Sequence, residues 1–316
     1  MRKATILFVL IGFILSSCTT PEDAPTPTLP PPEAMATATD TVPPPTETSV
    51  PTVTHTPEPT PLPGLVVYPL DTMDASIPWL PYDKSAAPGT NYYYFNISKP
   101  PFNNILVRQA FAAAVDRELI VEMAVRYGSN DPTPATTFTP PLVMGRDLYG
   151  EVGMVFDPQH AKELLEEAGY SDPSTFPTVT LMVNASGEVA PGGHFNMANA
   201  IADMWKQYLG VYVEVEAHSN WSVYQEILAS DPPEIFRLGW AADFNDPDNF
   251  LREIFRTGSQ YNFGNYSNPQ FDDLVDTAAR KRSPKIRQNL YIEAERILTE
   301  EDPALIPLYH SLYTLP

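Results

Sequence analysis

An α/β fold is predicted by three features of this 316-residue sequence. Helix starts are written as a capping residue followed by proline, short β-branched and aromatic runs lie between them, and the two kinds of segment alternate over residues 178–240. The capped starts are Asp157-Pro158, Asp246-Pro247, Asn268-Pro269 and Ser283-Pro284. In each, the first side chain accepts an orphan backbone N–H, and proline at the first helical position has no N–H to leave unpaired. They predict helices over residues 158–168, 247–256, 269–281 and 284–300, with Gly169 and Gly258 placed as terminating glycines. Apolar residues recurring at three and four, as in Ala161, Leu164, Leu165 and Ala168, support these helices. The same spacing predicts helices over 104–115, 117–127, 194–209 and 221–228. Strand-like runs occupy 92–96, 179–183, 211–217, 235–240 and 305–309, and Val213-Glu214-Val215-Glu216 alternates cleanly. The segment from 178 to 240 therefore reads as βαβ units on a mixed sheet flanked by helices.

The N-terminal region reads differently. Arg2 and Lys3 precede an apolar run over residues 4–15, which ends in Leu15-Ser16-Ser17-Cys18. About a dozen apolar residues suit an export signal and are too few to span a bilayer. Cys18 is the only cysteine, so a disulfide within one chain is impossible. Leu-Ser-Ser-Cys resembles the lipobox of bacterial lipoproteins, which implies cleavage before Cys18 and a lipid anchor on it at the outer face of the cell membrane. Residues 19–64 are rich in Pro, Thr, Glu and Ala, include Pro30-Pro31-Pro32 and Pro43-Pro44-Pro45, and have no aromatic residue. Such a stretch buries too little apolar surface to offset ordering entropy, and it is expected to be a disordered stalk. The expected organisation is a signal segment at 1–18, a linker at 19–64 and a folded unit at 65–316.

Charge narrows the partners. Lys and Arg total 19 against 39 Asp and Glu, for a formal net charge of −20. Nucleic-acid binding needs clustered cations to displace counterions, so no nucleic-acid partner is expected. The five histidines are scattered without an H-x-x-x-H pair, and G-x-S-x-G, P-loop and G-x-G-x-x-G patterns are absent. No enzyme activity, cofactor or metal is expected. The acidic group Asp243, Asp246 and Asp248 lacks the Gly and distal Glu of a calcium loop. Gly192-Gly193 before His194 can serve as a loop hinge or present an anion to a helix start.

A set of short motifs then recurs in a shared order. These are Tyr92-Tyr93-Tyr94-Phe95-Asn96, Pro100-Pro101-Phe102, Val107-Arg108-Gln109-Ala110-Phe111 and Ala114-Val115-Asp116-Arg117. Asp157-Pro158, Ala168-Gly169-Tyr170, Gly239-Trp240-Ala241-Ala242-Asp243-Phe244 with Asp246-Pro247, and Ile306-Pro307-Leu308-Tyr309 follow. In that order and spacing the chain resembles bacterial extracellular solute-binding proteins of family 5, the oligopeptide- and dipeptide-binding lipoproteins of ABC importers. The resemblance implies a type II periplasmic-binding-protein-like lobe, peptide or a related solute as ligand, and ABC permease subunits as partners. It covers the C-terminal half of such proteins. Their first lobe is largely missing here, and the Tyr-rich and Pro-Leu-Tyr strands correspond to their interlobe crossovers. A non-transporting interaction or sensing lobe, completed by a partner chain, is the alternative.

The resemblance also implies a site. Asp243 matches the carboxylate that pairs with a peptide's α-ammonium group, although a loop carboxylate near a helix start is the plainer use. Arg237 matches an Arg that pairs with the carboxylate of short peptides in some relatives, and guanidinium suits carboxylate bidentately. A strand Arg can equally face solvent. Trp240 can stack on ligand or belong to the core, and Tyr92 to Tyr94 read first as strand packing.

Overall fold

The structure is a computed structural model and describes residues 86–185 and 192–314. Cys18, the expected signal segment and the Pro/Thr-rich stretch lie outside the described residues.

A six-stranded mixed sheet carries the fold, in the order β2-β6-β1-β5-β3-β4. Its strands are β1 (Ala86–Phe95), β2 (Thr133–Pro134), β3 (Val179–Asn184), β4 (Val213–His218), β5 (Ile235–Ala241) and β6 (Leu305–Thr314). β3 runs parallel to both β4 and β5, whereas β1 pairs antiparallel with β5 and β6. The predicted βαβ region is present, with α5 (Gly193–Leu209) joining β3 to β4 and α6 (Trp221–Ser230) joining β4 to β5.

Both faces of the sheet are covered by helices. On one face α1 (Ile105–Ala113), α2 (Arg117–Arg126), α4 (Pro158–Glu167) and α5 pack Phe111, Ile120, Leu165 and Trp205 against Tyr93, Phe95, Leu181 and Ile235. On the other, α7 (Leu251–Phe255), α8 (Pro269–Arg280) and α9 (Pro284–Arg296) join α6 and the short α3 (Pro141–Met144). They bury Tyr224, Phe255, Phe271 and Tyr291 against Tyr92, Tyr94 and Phe236. Adjacent tyrosines of β1 thus enter different layers, as the period of two requires. Each fully buried large side chain contributes roughly 2 kcal/mol of transfer free energy.

The capped starts form as expected. Asp157, Asn268 and Ser283 each accept backbone N–H groups at the beginning of α4, α8 and α9, with proline following. Gly169 adopts φ +100 just past α4, where a Cβ would be strained.

Four expectations need correction. The helix predicted over 247–256 is two pieces, a tight 3₁₀ turn at Pro247–Asn249 and then α7, and Gly258 falls two residues past the α7 cap. The tight winding, with Phe250 N–H on the Pro247 carbonyl at 3.0 Å, turns Asn249 inward beneath the end of β5. The helix predicted over 284–300 stays α-helical to Arg296 and widens into a π turn at Ile297–Glu301. β1 and β6 are each about twice the expected length, because the polar residues Thr90, Asn91, His310 and Ser311 are buried against one another across the pair. The Thr90 hydroxyl donates to the Phe138 carbonyl at 2.6 Å and lies 2.8 Å from His310 Nδ1. Finally, β2, α3 and a 3₁₀ turn at Pro173–Thr175 lack the periodicity that would have announced them.

Candidate ligand-binding site

The carboxyl ends of the parallel strands lie together. Asn184, His218 and Ala241 close β3, β4 and β5 at the end of the sheet where β1 begins and β6 finishes. Ligands of open α/β sheets sit outside such ends.

Arg237 lies on β5 and is 5% exposed, so the reading of a solvent-facing strand arginine is overturned. A buried guanidinium is tolerable only where acceptors replace its water. Nη1 donates to Asn184 Oδ1 at 3.0 Å, and Nη2 donates to Asn91 Oδ1. The backbone carbonyl of Arg237 accepts from the Tyr224 hydroxyl at 2.6 Å, which fixes the strand from below. Asn91 and Arg237 share a face because Asn91 pairs with Gly239 and Tyr93 with Arg237 in the β1–β5 register.

Above this pair lies Tyr313 of β6. A Cβ added at Gly239 would stand 2.5 Å from the Tyr313 hydroxyl, 3.2 Å from Arg237 Nη2 and 3.5 Å from Asn91 Oδ1. A Cβ at Gly89 would stand 2.6 Å from the Tyr313 ring. The ring therefore lies in a slot made by two glycines of neighbouring strands.

Trp240 is three residues from Arg237, and the strand's alternation turns it to the opposite layer. It is half-buried, packs on Tyr261 with ring centres 5.2 Å apart, and donates its indole N–H to Asn249 Oδ1 at 3.2 Å. Asp243 lies just beyond β5 and is exposed. Its backbone N–H donates to the same Asn249 oxygen at 3.0 Å. Asn249 is fully buried and also donates to Glu253 Oε2 at 2.8 Å. It is the residue that sequence reasoning missed, since nothing local distinguishes it from a surface helix residue.

The neighbouring acids are already engaged. Asp246 caps the 3₁₀ turn and takes both contacts of Arg287 Nη2, at 2.7 and 2.6 Å. Asp248 binds Arg252 in a two-point ion pair and accepts the Tyr291 hydroxyl. Asp243 is thus the acid of this segment left facing solvent, and among the described residues no group of three or more His, Cys, Asp or Glu is placed to hold a metal ion. At the end of β4, His218 Nε2 lies 2.9 Å from Glu216 Oε1, and Trp221 stacks on Tyr224 while 44% exposed.

A two-faced α/β lobe with charged and aromatic groups gathered at its strand ends is the architecture of a type II periplasmic solute-binding lobe. The chain belongs to the bacterial extracellular solute-binding proteins of family 5, matching the description "Bacterial extracellular solute-binding proteins, family 5 Middle" over residues 53–262. It is 34% identical over 227 residues to the periplasmic oligopeptide-binding protein OppA of Salmonella typhimurium, covering 70% of this chain and 39% of that protein. Against the oligopeptide-binding protein OppA of Bacillus subtilis it is 34% identical over 228 residues, covering 70% and 40%. The chain therefore spans about two fifths of the length of these relatives. Among solved structures it is similar to a dipeptide-binding protein from Pseudoalteromonas sp. SM9913 in complex with Met-Leu, with TM-score 0.62 and 28% identity over 72% of this chain and 44% of that one. HbpA2 from Haemophilus parasuis gives TM-score 0.63 at 27% identity, over 72% and 43%.

Proposed function

We propose that this protein captures a peptide or a related solute and presents it to ABC permease subunits, held at the outer face of the cell membrane through a lipid on Cys18. The observation that carries the reading is Asp243, an exposed carboxylate fixed at a strand end by the buried Asn249. Its neighbours Asp246 and Asp248 are neutralised by arginines, so a cationic ligand group meets exposed Asp243, with half-buried Glu253 on the other side of the shared Asn249. A peptide's α-ammonium supplies that group, and a charge-assisted hydrogen bond in a closed cleft is about twice as strong as a neutral one. Arg237 is the proposed partner of the opposite, carboxylate end. Trp240 forms an apolar wall near Asp243. The function is capture and release, with no bond made or broken.

The relatives support this reading, being named for oligopeptide and dipeptide binding. A second reading keeps the same site and draws the opposite wall of the cleft from a separate chain, in an interaction or sensing role without transport.

Native mass spectrometry of the full chain with a tripeptide library, free and N-acetylated, tests the proposal. Wild type is expected to retain free peptides and Asp243→Asn to lose them. A wild-type chain that retains none would remove the peptide-binding reading. Binding gained only on addition of an envelope extract would favour the second.

A further inference from the structure

Residues 243–253 carry the acids Asp243, Asp246, Asp248 and Glu253, and these divide into two pairs. Asp246 and Asp248 each meet an arginine, Arg287 and Arg252, at 2.6 Å. Asp243 and Glu253 meet no cation among the described residues. Buried Asn249 joins them, because its Nδ2 reaches the Asp243 carboxylate at 3.4 Å and Glu253 Oε2 at 2.8 Å. One nitrogen within reach of both keeps their nearest oxygens no more than about 6 Å apart. Ser259 ties Glu253 to the aromatic wall beside Asp243: its hydroxyl donates to the Glu253 carbonyl and accepts the Tyr261 N–H at 3.2 Å, and Tyr261 packs on Trp240. A half-buried carboxylate with one amide donor and no counter-charge is short of the partners that replace its water.

We infer that Glu253 is a specificity-determining residue, a second carboxylate beside Asp243 that makes the site select peptides whose first residue carries its own cation. This rests on the proposed peptide-binding site and names the class of peptide it prefers. A peptide whose α-ammonium meets Asp243 brings its first side chain beside that carboxylate. The four-carbon stem of lysine spans the gap to Glu253 and carries an ammonium with three donors to it. Such a stem lies along apolar surface while its charged head keeps a polar partner, and Trp240 and Tyr261 supply that surface. Their ring faces also attract a cation that passes within about 6 Å. A neutral first side chain of equal length packs on the same rings and leaves Glu253 unanswered.

The test is competition on the full chain, read by native mass spectrometry, between two tripeptide libraries that differ only in the first residue, lysine or norleucine. Norleucine keeps the stem and drops the ammonium. Wild type is expected to prefer the lysine library by about tenfold, the worth of one charge-assisted contact. Glu253→Gln keeps an oxygen for Asn249 and removes the charge, and should bring the two libraries within about twofold of each other. Glu253→Asp keeps the charge on a shorter stem and should fall between the two, so a folding defect in one variant leaves the other as the test. Equal retention of both libraries by wild type, or a lysine preference unchanged in the variants, overturns the inference while peptide binding itself stands. A wild type that binds neither library overturns the inference together with the reading beneath it. Preference for the free over the N-acetylated amino terminus, set at Asp243, should survive in both variants. Its loss in Glu253→Gln would also overturn the inference, by assigning Glu253 to the support of Asp243.

Discussion

Asn249 and Asp243 are tied in both directions. The side-chain oxygen of Asn249 accepts the Asp243 backbone N–H at 3.0 Å, and its amide nitrogen reaches the Asp243 carboxylate at 3.4 Å. Because the same oxygen also accepts the Trp240 indole N–H, one buried amide sets the positions of the proposed ammonium partner and the aromatic wall beside it. Asn249→Ala leaves those two donors and Glu253 without their partner in a part-buried site, a loss of about 1–3 kcal/mol. Urea denaturation should show that loss. Peptide retained in native mass spectrometry should fall at least tenfold, and undiminished retention would mean that Asp243 is held by its loop alone.

A second prediction concerns the junction that begins β6. Arg108 is buried and donates from Nε to the Pro303 carbonyl at 2.7 Å and from Nη1 to the Phe102 carbonyl at 2.6 Å, while Nη2 pairs with Asp302. Asp302 also accepts from Asn268 at 2.9 Å at the start of α8. Removing one partner of a buried pair strands the other charge, so Arg108→Met should cost about 3–5 kcal/mol. Since Arg108 anchors the turn into β6 and not its far end, chemical denaturation should register the change while peptide specificity stays as it was. A loss below 1 kcal/mol, about the worth of an exposed pair, would show that the junction is wet.

Glu295 predicts a pH dependence. Burial pushes its carboxyl up to about 7, even though the backbone N–H groups of Phe138 and Thr139 donate to it at 2.8 and 2.7 Å. A raised folded-state pKa means that this group's stabilisation is whole below the ordinary carboxyl value of 4.5 and is lost as pH rises through about 7. Glu295→Gln is neutral throughout, so the stability of wild type relative to the variant should decline over that window, by on the order of 3 kcal/mol. Thermal melts of both proteins across the window measure it. Parallel curves would show that Glu295 is ionised in the fold at all these pH values.

Calcium should have no effect. Asp246 and Asp248 already meet Arg287 and Arg252 at 2.6 Å, so a divalent ion would have to break two ion pairs to bind there. Adding millimolar calcium, or removing divalent ions with a chelator, should move the melting midpoint by less than about 1 °C. A rise of several degrees would require these arginines to swing away.

What was legible in the sequence was what is written within one turn. Asp157, Asn268 and Ser283 each cap a helix whose proline follows immediately, and a reader needs only four residues to see it. The strand carrying Arg237 and Trp240 was equally plain from its apolar run, so Asp243 was correctly expected at its end. The supports of the site were not legible. Asn249 acts on Trp240 nine residues earlier, Glu295 closes on Phe138 across 157 positions, and Tyr313 fills space vacated by Gly89 and Gly239. Contacts of that range are made by the sheet order and leave no period in the chain. The same sheet order lengthened β1 and β6, since Thr90 and Asn91 join a strand only because His310 and Ser311 are there to bury them.

Arg237 and Trp240 sit on one strand yet look into different layers, with different neighbours: Asn91, Asn184 and Tyr313 on one side, Asn249 and Tyr261 on the other. A substitution around the arginine therefore leaves the tryptophan's surroundings in place, and the reverse holds too. The two proposed contacts of this strand are therefore structurally separable, and a change in the surroundings of one need not disturb those of the other.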